Sequence, residues 1–366
     1  LQKVIRKENK AFIEDCERRK SPSAPTPDYQ GVSDEDSKQV TGSSVADLSL
    51  DVIREYTKRL GLPLKVPSPR LWEYMKKAGF LVEASKKAVP IPTVAGLVCF
   101  GKSPDHILHQ CKIKAYRLKG KPEDRGNIES RVIGNGQKDI TGSLPHMVRE
   151  VERFFQSRGP KVPKIEGMVR EEVDEYPLRA IREVIVNALV HRDYRAGAYV
   201  DFKIYDDRIV VKSPGHAPAP ITIEQIRSYS IPLSIRRNPR IAYAAATFGL
   251  MEEGATGLNK IRNELQMSGL SDPEFSYEPG IFVVTLLGRE LTPLSLRLSL
   301  EIRSQLDQRQ IDILDLAKEM GKITSTACMK KWRISRETAT QDFKKLMRLG
   351  LLEKKGIGRS TYYVLI

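Results

Sequence analysis

The chain has 366 residues, with 61 Lys and Arg against 46 Asp and Glu and a formal net charge of +15. That length predicts two or three domains, each able to bury a core, and that charge favours a polyanionic partner, above all nucleic acid, over a merely basic surface. No apolar run approaches the ~18 residues of a membrane helix and no signal peptide is visible, so no membrane partner is expected, while four scattered cysteines (Cys16, Cys99, Cys111, Cys328) exclude a disulfide framework and fit a reducing cytoplasm.

Because the chain starts at Leu1 and not at Met, an upstream part is expected. Residues 20–47 are polar and proline-rich and read as a linker or extended strap with little core of its own. Asp47 to Leu60 has the pattern of a capped amphipathic helix, ended by Gly61 and Pro63, and a shorter helix is expected around Leu71 to Ala78. Strands are expected at Thr93–Phe100 and Cys111–Leu118, then helices at Leu144–Phe155 and Pro177–Val190. Two β-rich runs follow, Ala198–Tyr205 and Arg208–Lys212, joined by the turn Asp206-Asp207. A helix over Pro239–Phe248, another beginning near Gly257 and a strand at Gly280–Leu287 complete the middle of the chain. Pro293 and the Leu/Ser run after it set off a last unit, 300–366, and no internal repeat is visible.

Three motifs fail on inspection. Gly96 to Ser103 spells the phosphate-loop pattern G-x-x-x-x-G-K-S. Such a loop exposes consecutive backbone amides and has a small or turn-forming interior; Leu97-Val98-Cys99-Phe100 reads instead as a buried strand, and Pro104 follows at once. His191-Arg192-Asp193 imitates a kinase catalytic loop, but Ala198 stands where its asparagine belongs and no D-F-G follows. His106, His109 and Cys111 lack a fourth zinc ligand at usable spacing.

The helix over Pro177–Val190 poses a sharper question. It is apolar almost all round, yet Glu183, Asn187 and His191 recur every four residues and share one face. A buried carboxylate is costly unless it is paired, metal-bound or poised for proton transfer. One reading is a structural stripe hydrogen-bonded to neighbouring loops. The other is a site where Glu183 activates water and the Asn187 carbonyl binds Mg²⁺ beside phosphate oxygens. The second reading needs glycine-rich elements further along. Ser213-Pro214-Gly215 ends one strand, and Gly254-Ala255-Thr256-Gly257-Leu258 opens a helix, where free amides and the dipole favour an anion.

The ordered run of Leu178 to Tyr194, Asp207 to Gly215, Arg237-Asn238-Pro239 and Glu253 to Leu258 resembles the RecG-like, "divergent AAA" family of transcriptional regulators. The central domain of that family is similar to GHKL ATPases such as gyrase B, MutL and histidine kinases. The match spans roughly 47–290, and Pro92 to Pro104 also looks like the family. The resemblance implies an α+β protein: a GHKL (Bergerat-like) α/β sandwich followed by a winged helix-turn-helix domain. It divides the chain into 1–46, a remnant of an upstream Schlafen/Alba-like domain (Leu1–Lys20) plus linker; 47–150, a family-specific α/β subdomain; 151–292, the GHKL-like domain; and 300–366. It implies ATP and Mg²⁺ as cofactors, Glu183 as general base and Asn187 as Mg²⁺ ligand. His191, Ser213, Gly215, Gly254, Thr256, Gly257 and Leu258 would then surround the nucleotide. The chain departs from the pattern at one place. The aspartate of the D-x-G-x-G box, which contacts adenine, is Ser213 here, which leaves ATP binding and hydrolysis open.

The last unit reads as helix, turn, helix and β-wing. Thr324 and Ser335 are placed to cap its two helices. Ala339, Phe343 and Leu346 form the buried face of the second, while Arg336, Thr340, Gln341, Lys344 and Lys345 project the other way, as a recognition helix requires. Gly350 ends that helix, and Gly356-Ile357-Gly358-Arg359 forms a wing able to place Arg359 on phosphate or in the minor groove. The segment resembles the winged helix of DeoR-type regulators, which implies double-stranded DNA contacts from Ser335, Arg336, Thr340, Gln341, Lys344, Lys345 and Arg359; the alternative is a surface for protein contacts or a homodimer. The expected function is a cytoplasmic DNA-binding transcriptional regulator with a GHKL-like nucleotide domain. Its rivals are a Mg-dependent ATPase acting with DNA and a non-enzymatic scaffold. A helicase is not expected, because no motor motif is present.

Overall fold

Short 3-10 turns at Asp34–Ser37 and Val45–Asp47 precede α1 (Leu50–Arg59), which starts where the Ser49 hydroxyl accepts a hydrogen bond from the Val52 amide. The computed structural model describes residues 34–83, 89–122, 124, 131–166, 169–218, 220–231, 235–251, 257–289, 300–356, 358 and 361–366. Ser68 caps α2 (Pro69–Lys77) in the same way, with Pro69 in the first turn, where its missing N–H costs nothing. β1 (Leu81–Val82) and β2 (Ile91–Pro92) form a small antiparallel pair.

Where a strand was expected at Thr93–Phe100, the chain forms α3 (Val94–Phe100), and the Thr93 hydroxyl accepts from the Gly96 amide at 3.1 Å. All seven residues are buried. A helix buried on every side has no apolar periodicity, so its sequence looks the same as a buried strand. Gly96 faces backbone, and a Cβ there would collide with the Phe80 carbonyl oxygen. Lys102 Nζ donates to the Ala46 carbonyl at 2.8 Å. The phosphate-loop letters thus spell a packed helix and a lysine tied to a neighbouring turn.

β3 (Ile113–Leu118), β4 (Val132–Ile140), α4 (Leu144–Arg158), the hairpin β5 (Lys161–Glu166) and β6 (Val169–Asp174), and α5 (Leu178–Val190) come next. They are followed by β7 (Val200–Ile204), β8 (Arg208–Pro214), α6 (Ile223–Arg227), α7 (Pro239–Thr247), α8 (Gly257–Met267), β9 (Glu274–Glu278) and β10 (Ile281–Leu287). Six of these strands make one sheet in the order β4-β3-β7-β8-β10-β9. It is mixed: β3 and β7 run parallel, whereas β3 with β4, β7 with β8 and β10 with β9 are antiparallel. Ile113, Ala115, Val200, Phe202 and Ile204 alternate into the core. Phe154 of α4 meets Phe202 edge-on at 6.4 Å, and α5 lies on β8. The architecture is α+β. The edges β4 and β9 were not expected, because a strand with few buried positions carries little alternation to read.

Residues 34–48 lie against this body. Asp36 is fully buried at the start of α7, where its carboxylate accepts from the Arg240 amide at 2.7 Å and from Arg240 Nη1 at 3.1 Å. Val40 and Leu48 are buried on the same stretch. Arg240 in turn crosses Gly79, whose φ of 78° and lack of a Cβ leave room for the guanidinium.

A second compact unit comprises residues 287–366 together with 265–272. It contains α9 (Leu300–Ser304), α10 (Gln308–Met320), α11 (Ser325–Trp332), α12 (Arg336–Arg348) and the hairpin β11 (Leu352–Lys355) and β12 (Tyr362–Leu365). Ile313, Leu314, Cys328, Phe343 and Leu346 form its core, and Phe343 stacks on Tyr363 at 3.9 Å. Asp342 is buried but satisfied by Arg309 Nε at 2.8 Å and Gln310 Nε2 at 3.0 Å. No described helix is long and apolar enough to cross a membrane.

Candidate functional site

α5 buries Ala180, Ile181, Val184, Ile185 and Leu189, while Glu183, Asn187 and His191 are only partly covered. Those three side chains line one cavity together with Ser213, Gly215, Gly257 and Leu258. Gly257, the first residue of α8, lies directly against the stripe: a Cβ added there would stand 2.5 Å from Glu183 Oε1 and 3.2 Å from Asn187 Nδ2. The helix-start glycine and the carboxylate–amide pair are therefore neighbours in space as well as in order along the chain. Gly254 and Thr256 fall outside the described residues.

His191 ends α5, its amide donating to the Asn187 carbonyl at 3.0 Å. Burial, and then the nearby Arg236 and Arg237 guanidinium groups, push its pKa down to about 4, so it is neutral at neutral pH. The Ser213 hydroxyl donates to the Ala188 carbonyl at 2.8 Å, tying β8 to α5. Gly215 has φ 107°, and its amide donates to the Gly280 carbonyl at 2.8 Å.

The residues that hold this wall were given no role from sequence, although Arg192-Asp193 and Arg237-Asn238 lie in the family-like run. Arg192 is 1% exposed, and its guanidinium donates to the carbonyls of Gln110 at 2.8 Å and Ala198 at 2.6 Å. Asp193 is gripped by Arg195 at 2.6 Å and Arg237 at 3.2 Å; the Arg195 hydrogen bonds hold its carboxyl down at about 2. Arg237 also donates to the His216 carbonyl at 2.5 Å. Asn238 Nδ2 donates to the carbonyls of Val190 and Arg192, both at 2.8 Å, and so closes the end of α5. Arg236 lines the cavity itself. An unusually buried arginine leaves no periodic trace, so the signal lay in the dense run of Arg, Asp and Asn beside apolar helices and in the family-like segment Arg237-Asn238-Pro239.

The DNA-contact candidates sit in the second unit. Ser335 caps α12, its hydroxyl accepting from the Thr338 amide at 3.1 Å. Arg336, Gln341 and Lys344 are exposed, Thr340 and Lys345 are half-buried, and Ala339, Phe343 and Leu346 are buried opposite them. The Thr340 hydroxyl donates to the Arg336 carbonyl at 2.7 Å. Arg359 falls outside the described residues.

Residues 197–286 match the family model HATPase_c_4, described as "Putative ATP-dependent DNA helicase recG C-terminal". That span is similar to a RecG-like, ATPase-type domain. It contains Ser213, Gly215, Arg236, Gly257 and Leu258 and begins after the α5 stripe. A crystal structure of the DIP2311 protein from Corynebacterium diphtheriae is similar over 97% of this chain and 67% of that one, with a TM-score of 0.55 and 19% identity, a likeness of fold. No curated protein matches the chain significantly.

Proposed function

We propose that the chain is a cytoplasmic DNA-binding transcriptional regulator, with a winged helix at 300–366 that reads double-stranded DNA and an ATPase-type domain that senses a ligand. The observation that carries this reading is α12. One face is buried on Phe343 and Leu346, while Arg336, Gln341 and Lys344 are exposed on a helix capped at its start by Ser335. A helix held this way presents its first turns to the major groove, with Lys344 and Lys345 near phosphates and Arg336 and Gln341 near base edges. Affinity for a duplex should fall with salt by roughly one log–log slope unit per phosphate contact. Replacing Lys344 and Lys345 by Ala should flatten that slope, whereas Arg336→Ala should relax sequence preference by ~1–3 kcal/mol. Salt-independent binding, or none to any duplex, refutes the reading.

Mg-ATP binding in the cleft is the second reading, favoured by Gly257 lying against Glu183 and Asn187. These polar groups suit it: one amide oxygen with phosphate and water oxygens is a donor set that Mg²⁺ accepts. Bound Mg-ATP would supply an electrophilic γ-phosphorus, and the Glu183 carboxylate would take the proton of an attacking water. At a hundred times its dissociation constant it should stabilise the domain by ~2.7 kcal/mol in a melting experiment. Asn187→Ala should abolish that gain, and Glu183→Gln should keep it while losing turnover. A melting curve that Mg-ATP leaves unmoved removes this reading and leaves the DNA-binding one intact.

A further inference from the structure

The same cavity also has apolar walls. Val211, Ile221, Ile226, Ile231, Phe282 and Val284 line it. The cavity measures about 160 Å³, close to the ~150 Å³ of an engineered protein cavity that takes up benzene. Among the described lining residues Glu183 is the one carboxylate, and it is pressed against Gly257. The place where a base-reading aspartate would stand holds Ser213, whose proton is committed to the Ala188 carbonyl.

Against these walls stands Arg236. It lines the same cavity and, among the described residues, makes no hydrogen bond or ion pair, unlike Arg237, which grips Asp193 and the His216 carbonyl. His191 beside it is an imidazole, which carries no negative charge in either protonation state. A guanidinium at the edge of an apolar cavity, with no anion of its own among the described residues, is a strong and directional hydrogen-bond donor for one carboxylate.

We propose that the cleft binds a small monocarboxylate with an apolar body of about six carbons, the carboxylate paired with Arg236 and the body among Ile221, Ile226 and Ile231. This ligand is the effector that the regulator reading calls for, so the inference rests on the central domain being a sensor.

The test uses the full chain with phenylacetate and its neutral counterpart phenylacetamide, titrated by calorimetry or ligand-observed NMR. Phenylacetate should bind at least about tenfold more tightly than the amide, as a charge-assisted hydrogen bond in a partly dry site predicts. Arg236→Gln should erase that preference and keep amide binding, Arg236→Lys should retain part of it, and Ile231→Trp should abolish binding of both. Circular dichroism establishes that each variant is folded. Equal affinity of the two compounds, a preference that survives Arg236→Gln, no binding of either, or binding of Mg-ATP alone each overturns the proposal. Duplex binding is measured on the same samples without ligand, so a failure to bind DNA counts against the regulator and leaves the ligand result to stand or fall separately.

Discussion

His191 sits where an imidazole has little reason to be charged, and that gives the folded chain a measurable pH dependence. Its ordinary pKa of 6.5 falls to about 4 in the fold, through burial first and the two arginines second. Between those values an unfolded chain takes up a proton that the folded one refuses. Stability from this group is therefore intact above pH ~6.5 and declines as pH falls towards ~4, by at most ~3 kcal/mol. Urea midpoints taken at pH 7 and 4.5 should show the decline, and His191→Gln should flatten it; an unchanged slope would mean that the imidazole is well hydrated. Asp193 works at lower pH: held down at about 2 from 3.8, it stabilises fully above pH ~4 and loses that contribution as pH drops through 2. At Gly257 the expectation is steric. Gly257→Ala should cost ~0.5–1.5 kcal/mol by pushing the Glu183 side chain off its rotamer, and less when Glu183 is already Ala, a coupling that a double-mutant cycle in urea measures. The four-residue stripe was legible because helical periodicity puts its members on one face. Arg192, Arg236 and Arg237 were not, since no spacing rule says which carbonyl or cavity a long side chain will reach.

Elements are joined here by few polar ties in buried positions. Asn238, at the mouth of α7, holds the Val190 and Arg192 carbonyls with one amide nitrogen. Asn238→Asp turns that donor into an acceptor facing two acceptors. It should destabilise by more than the ~1–3 kcal/mol expected of Asn238→Ala, which only leaves the carbonyls unpaired. Chemical denaturation ranks the two, and equal losses would argue that water replaces the amide. At this scale the sequence was readable where one face was buried, as in α4 and β7. It misled at α3, buried on all sides, and was silent at the edges β4 and β9, which bury few residues.

The whole molecule consists of two compact units, and the second has its own core around Phe343. Phe343→Ala should cost ~3–5 kcal/mol locally and remove duplex binding. The response of the cleft to phenylacetate or Mg-ATP should survive, because none of the cavity-lining residues belongs to that core. Melting followed by both ligand and duplex titrations decides the matter; loss of both activities together would show that the units stand or fall as one. The net charge of +15 pointed to a polyanionic partner without locating it. The proposed duplex contact rests instead on the capped, half-exposed α12.

The parallel seam in the sheet also sets an order in time. Ile113 pairs with Ile140 on one side and with Val200 on the other, and Ile204 pairs with Ile209 across a tight turn. The two antiparallel hairpins close short loops, whereas joining β3 to β7 must wait until α4 and α5 have gathered the intervening chain. Folding should thus pass through two half-sheets, each with an open edge at Ala115 or Phe202. Until the seam closes those edges can pair with the wrong chain, so crowded synthesis is hazardous at that moment, and a substitution at Ala115 or Phe202 should lower soluble yield more than its effect on the finished fold would suggest.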